Sequence, residues 1–221
     1  MLLYQLRHAF RRLLREPGFT AAAVMTLALG VGANVAVFTV VEGLLLRPLP
    51  YRNGDQLVTI RHREAATGNT KPFIAIGDFV DLKERESSFR SVASYGTAQV
   101  TIFGEGEPYQ VSALWASPEL LEALDFRPAL GRGFTVAEGL IGSASVAILG
   151  HDLWRTRFGS DPSVIGRSIR FEGGELSIVG VAPPGFRFPP QAPTGIIANN
   201  RTPAQAPANR KAGWTFALGR L

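Results

Sequence analysis

Two hydrophobic patterns divide the chain. From Phe19 to Leu46 the residues are almost uniformly apolar, with Glu42 the only ionisable group. From Tyr51 onward, short apolar runs alternate with polar turns. As a helix the first stretch would measure about 42 Å, longer than the roughly 30 Å hydrocarbon core of a bilayer. It is expected to cross a membrane and stop at Pro48 and Pro50, which cannot continue a helix. A cleaved leader is the competing reading, but its apolar region is usually only ~7–15 residues long. Ahead of the span, Leu3, Leu6, Phe10 and Leu13 recur at helical spacing, with Arg7, Arg11 and Arg15 four apart and Arg12 beside them. That predicts a basic amphipathic helix over residues 1–18 lying on the membrane surface, with Pro17-Gly18 as the corner into the span at 19–46.

Inside the span, Ala28, Gly32 and Ala36 are four apart, as are Gly30 and Asn34. Small residues at that interval let a second helix approach closely, and an amide in hydrocarbon needs a bonding partner. Gly32, Asn34, Ala36 and Glu42 are therefore the candidate helix-packing residues.

The remainder, 51–221, reads as an α+β domain. Strands are expected at Leu57–Arg61, Gln99–Phe103, Tyr109–Trp115, Ser145–Leu149, Ser168–Phe171 and Leu176–Val181. Helices are expected from Asp78 to Arg85, continuing toward Ser87–Ala93, from Ser117 to Leu124 with Ser117 as cap, and from His151 to Phe158. The strands and helices follow no regular βαβ rhythm, which favours α+β over α/β. Gln191–Gly213, rich in Pro, Ala, Asn and Arg, reads as an exposed loop. An apolar strand starts at Trp214 and the chain stops soon after it, so the domain is expected to be incomplete at its C-terminus.

Charge changes the picture only by where it sits. The formal net charge is +5, of which residues 1–18 hold +3 and all the rest only +2. A basic excess beside an apolar span points to a membrane and to a cytoplasmic N-terminus, not to nucleic acid. There is no cysteine, which removes disulfides, thiolate metal sites and cysteine nucleophiles.

Candidate chemistry is thin. His8, His62 and His151 are isolated and lack metal-ligand spacing. Asp78 and Asp81 could be drawn as a carboxylate pair, but a helix N-terminus favours acidic side chains anyway. Arg155 and Arg157 read as a solvated face, Gly104-Glu-Gly106 lacks the third glycine of a dinucleotide loop, and Pro183-Pro-Gly185-Phe186 reads as a rigid turn. No catalytic, cofactor-binding or metal-binding residue is expected.

Several segments resemble the MacB/FtsX family of bacterial ABC-transporter permeases, in particular the duplicated orphan permeases. They are Leu6–Phe19, Leu27–Phe38 and Leu45–Tyr51, then Asp78-Phe-Val-Asp-Leu82, Pro128–Phe134, Leu153–Gly159, Asp161–Arg167 and Val179–Phe186. They fall in family order along nearly the whole chain. The resemblance implies a first transmembrane helix and a MacB-like periplasmic core domain of two α/β subdomains, with three later spans. It also implies dimerisation through membrane helices, and coupling to a separate ABC-type ATPase that holds the ATP, no cofactor being carried by this chain. The role implied is mechanical: ATPase-driven movement of the periplasmic domain for export or mechanotransmission, at the bacterial inner membrane. The alternative is a single-span anchored extracytoplasmic binding or sensor domain, and a secreted enzyme with a cleaved leader is a third possibility.

Overall fold

The computed structural model describes residues 16–42, 51, 54–65, 67–85, 88–104, 106–190, 192, 194–201 and 213–221. The chain divides into two units, Met1–Pro48 and Leu49–Leu221.

The first unit contains helix α1, Pro17–Val41. At 25 residues it is the one helix among the described residues long and apolar enough to cross a membrane. Helix α1 begins at Pro17, directly after the non-helical Glu16, so Pro17-Gly18 form its first turn; residues 1–15, and with them the expected surface helix, lie outside the described residues. Proline is well suited to that place, since its missing N–H would have no partner at a helix start and its φ is already helical. Glu42 follows the last helical residue, its N–H still bonding back to Phe38 and Thr39. The helix has no polar face, as expected of one suited to lipid rather than to a protein surface.

The second unit is a mixed sheet with helices packed on it. Its strands are β1 (Leu57–Ile60), β2 (His62–Arg63), β3 (Thr70–Lys71), β4 (Ile74–Ala75), β5 (Ser91–Phe103) and β6 (Tyr109–Ala116), followed by β7 (Leu130–Gly131), β8 (Val146–Leu149), β9 (Ser168–Phe171), β10 (Gly174–Val181), β11 (Ile196–Asn199) and β12 (Trp214–Arg220). The main order is β1-β12-β5-β6-β11-β8-β10-β7, with β9 bonded to both β10 and β5. Most pairs are antiparallel, whereas β11 runs parallel to β6 and β10 parallel to β8. Strand β5 is long enough to take β12 at its start and β9 at its end along one edge, with β6 on the other. The pairings β5-β6-β11-β8-β10-β9 therefore close on themselves as a ring of strands.

Alternate residues of these strands build two cores. Ile102, Leu149, Leu176, Ile178 and Ile196 share one, against Leu153, Trp154 and Phe158 of the segment that includes α4 (His151–Arg157). Leu114, Ile148 and Ile197 face the other way, against Leu120, Leu121 and Leu124 of the segment around α3 (Pro118–Ala123). A third cluster puts Phe79 and Val80 of α2 (Ile76–Arg85) on Val92 and Ala217.

Three local expectations are corrected. Helix α2 stops at Arg85, and residues from Ser91 belong to β5. Val92 and Ala93 are both buried, one in the α2 cluster and the other in the α3 cluster, so two-sided burial erased the alternation that marks a strand. Within the stretch read as loop, Ile196–Asn199 is a strand buried at every position between β6 and β8; residues 202–212 lie outside the described residues. Ser117 precedes α3 but gives no side-chain cap. Its hydroxyl instead accepts the buried Ser94 N–H at 3.1 Å, while its own N–H donates to the Ser94 carbonyl at 2.9 Å.

Candidate functional site

Helix α1 carries the first candidate site. Its residues are exposed apart from the partly covered Thr20, and Gly32, Asn34 and Ala36 are all open. The Thr26 and Thr39 hydroxyls donate to the carbonyls of Ala22 and Val35 at 2.9 and 2.8 Å and are satisfied inside the helix. No such bond satisfies the Asn34 amide among the described residues. Successive residues turn by about 100°, so Ala28, Gly32 and Ala36 make one stripe while Gly30, Asn34 and Phe38 make another nearly opposite. The four sequence-derived packing residues thus divide between two sides of the helix, with Glu42 beyond its last turn. Asn34, Val35, Phe38 and Val41 border a shallow indentation on the second side. Arg7, Arg11, Arg12 and Arg15 lie outside the described residues.

A second constellation surrounds Tyr51, which opens the described part of the globular unit. The Tyr51 hydroxyl donates to the Arg187 carbonyl at 2.6 Å, across 136 residues of sequence. Its ring lies 5.8 Å from that of Phe188, which meets Tyr95 edge-on at 4.9 Å, and Tyr95 stacks on Phe216 at 5.3 Å and 22°. Phe126 and Phe186 make a further edge-to-face pair at 4.9 Å. Between these groups runs an open cleft of about 260 Å³, with Arg127 and Arg187 at its rim. Burial pushes the Tyr51 phenol well above its ordinary pKa, reinforced by Tyr95, so it remains a donor. The Tyr95 phenol is raised for the same first reason, with Arg61 opposing. What is assembled here is a packed aromatic joint around one main-chain hydrogen bond. Sequence reasoning passed over it because Tyr51 looked like a domain boundary; an aromatic directly after two helix-stopping prolines was the available signal.

The other sequence candidates are scattered. His62 sits on β2 opposite Lys71, and His151 opens α4 with its ring 5.7 Å from Trp154. His8 lies outside the described residues. Asp78 lies in the first turn of α2, and Asp81 is 4.0 Å from Arg85 one turn on. Arg155 and Arg157 are exposed, and the Arg157 guanidinium lies 4.3 Å over the Tyr109 ring. Pro183-Pro-Gly185-Phe186 is a turn closed by the Phe186 N–H on the Pro183 carbonyl at 3.2 Å. No group of three or more His, Cys, Asp or Glu is placed to hold a metal among the described residues.

An apolar helix long enough to cross a membrane, followed by a mixed-sheet domain with α-helical cover, defines an α+β domain preceded by a candidate membrane span. The family described as MacB-like periplasmic core domain matches residues 20–209, and the chain belongs to that family, whose members are domains of ABC transporter permeases. No curated protein matches it in sequence. Among solved structures, the periplasmic region of MacB from Actinobacillus actinomycetemcomitans is similar with a TM-score of 0.53 at 13% identity, over 75% of this chain and 74% of that one. The extracellular domain of the noncanonic ABC-type transporter YknZ from Gram-positive bacteria gives 0.51 at 14% identity, over 74% and 81%. At such identities the likeness concerns the fold.

Proposed function

We propose that this chain serves within an ABC-type permease of the bacterial inner membrane, where its periplasmic domain passes on movement driven by a separate ATPase. The observation that carries this reading is that the family match takes in most of α1 together with most of the globular unit. Helix α1 crosses the membrane, the arginines at 7, 11, 12 and 15 hold the N-terminus in the cytoplasm, and residues after Tyr51 are periplasmic. The two stripes of α1 suit two neighbouring helices: Gly32 and Ala36 against one, Asn34 against the other, with Glu42 at the outer end. One neighbour is a second copy of the chain. The chain itself holds no cofactor, ATP being bound by the ATPase, and the domain's output is displacement, for export or mechanotransmission.

The absence of cysteine gives a direct test. In whole cells, the thiol introduced by Thr156→Cys on exposed α4 should react with a membrane-impermeant maleimide, and that from Arg12→Cys only after permeabilisation. The full chain should also co-purify in stoichiometric amount with one ABC ATPase of its source genome. Reaction of position 156 only after permeabilisation would overturn the orientation. Failure with every such ATPase would overturn the permease role.

A further inference from the structure

Movement of a membrane helix reaches a tethered domain through the connecting chain, and it enters the domain at the first side chain that the domain holds firmly. Among the described residues after Glu42 that side chain is Tyr51, and it is held unusually far from its own neighbourhood. Its hydroxyl is bound to the Arg187 carbonyl, and its ring packs at the margin of the α3-side core against Phe188. Because the acceptor is a main-chain atom, the bond fixes the backbone of the segment that follows β10. That backbone is held at both ends: the Ala182 N–H donates to Leu149 of β8 at 2.7 Å, and the Phe188 N–H to the hydroxyl of Thr194, two residues ahead of β11, at 3.2 Å. The rings carry a second route. Phe188 abuts Tyr95 of β5, and Tyr95 stacks on Phe216 of β12. A displacement applied at Tyr51 therefore reaches β8 and β10 on one side of the sheet, and β5 and β12 on the other. By contrast, β1, the first main-sheet strand after Tyr51, is an edge strand bonded only to β12.

Resting on the permease function proposed above, we infer that Tyr51 is the coupling residue at which movement of helix α1 is handed to the globular unit, through the Arg187 carbonyl and the Phe188-Tyr95-Phe216 ladder. It is a positioning residue: it touches no substrate and acts through the segment it holds.

The test uses the full chain with its co-purifying ATPase in lipid nanodiscs, spin-labelled after Thr39→Cys and Thr156→Cys. The readout is the change in label separation between the nucleotide-free and the ATP-vanadate states. Tyr51→Ala should abolish this change, while Tyr51→Phe, which loses the hydroxyl but keeps the ring, should retain only the part carried by the ring ladder. A thermal melt followed by tryptophan fluorescence reports whether each variant is folded. Two short Gly-Ser insertions separate the possible routes while leaving the Tyr51 side chain in place. Placed between Pro48 and Leu49, ahead of Tyr51, the insertion should abolish the nucleotide-dependent change; placed between Arg52 and Asn53, behind it, the same insertion should leave the change intact. If the rear insertion abolishes the change as fully as the front one, movement enters along the main chain into β1 and the coupling role is overturned. A folded Tyr51→Ala variant that moves like the parent overturns it equally. If the parent itself shows no nucleotide-dependent change, the permease reading fails and the coupling role falls with it. Should Tyr51→Ala not fold, the insertion pair alone decides between entry at Tyr51 and entry through β1.

Discussion

The glycines of the two units differ in what surrounds them. A Cβ added at Gly30 or Gly32 of helix α1 would meet no atom within 4 Å. One added at Gly150, before α4, would lie 2.0 Å from the Thr194 carbonyl oxygen, and at Gly180 of β10 it would lie 2.4 Å from that of Arg132. The globular unit thus explains its close-packed glycines from within, by backbones that run too near for any side chain. The helix explains none of its own. Its small residues meet no such neighbour among the described residues, so the same residue type is a folding constraint in one region and, under the helix association proposed above, a contact surface in the other.

The largest expected effect breaks that contrast at its strong end. Gly180→Ala forces the added methyl against the Arg132 backbone and pries β7 from β10, at a cost of about 3 kcal/mol. Denaturant unfolding followed by tryptophan fluorescence measures it cleanly, because Trp115, Trp154 and Trp214 all lie in the globular unit. Gly32→Leu should leave that transition where it is and instead weaken helix association, by ~1 kcal/mol in a membrane two-hybrid assay. A shift of the fluorescence transition by Gly32→Leu, or none by Gly180→Ala, would erase the distinction between the two regions.

Legibility in the sequence follows the same divide. Helix α1 was readable because lipid demands one thing of every position, and composition alone reports it. Strands β8, β9 and β10 were readable because their flanking turns are sharp and their apolar runs short. Strand β11 was hidden by its Pro- and Ala-rich surroundings, and the start of β5 by cover on both faces. Asn199 was invisible for a deeper reason. It looks like a loop residue, and only the fold reveals what it holds: its amide N–H groups donate to the carbonyls of Glu138 and Ala144 at 2.7 and 2.9 Å, and its oxygen accepts the Val146 N–H at 3.0 Å. Hydrogen bonds across more than fifty residues leave no local periodicity to read.

Asn199 sharpens the comparison at intermediate size. It is 2% exposed, so Asn199→Ala strips partners from groups that water does not readily reach, costing about 2 kcal/mol. Amide exchange at Val146 and across residues 136–144 should accelerate ahead of global unfolding. Helix α1 offers the opposite case: Asn34→Ala removes an amide with no side-chain bond among the described residues and should leave the unfolding transition of the globular unit unmoved. If Asn199→Ala melts with the parent and exchanges like it, the buried hook contributes nothing.

The smallest effect is electrostatic and falls on one region only, because Pro17–Val41 contains no ionisable side chain. In the globular unit the Arg132 guanidinium makes two hydrogen bonds to the Glu138 carboxylate, at 2.8 and 2.9 Å, and the Thr135 N–H adds a third at 2.8 Å. The hydrogen bond from Arg132 is the main reason that the Glu138 pKa is held below the ordinary range; burial opposes it, and Thr135 assists. The Arg132 pKa is raised by the same bond, far above any pH at which the domain would be handled. A carboxylate whose folded pKa is depressed contributes stability that is fully present above its unfolded pKa, about 4.3, and is lost as pH falls through the folded value. With half of the Arg132 side chain exposed, solvent screening limits the contribution to ~0.5 kcal/mol. Glu138→Gln should therefore lower stability slightly near neutral pH and flatten its fall in acid, with the parent and variant curves converging below about pH 4. Parallel curves down to the acid limit would mean that the Arg132–Glu138 pair adds nothing to the hold that Asn199 and the loop's other hydrogen bonds have on residues 135–144. The helical signal of α1 in lipid should stay flat across the same range, since nothing within it titrates.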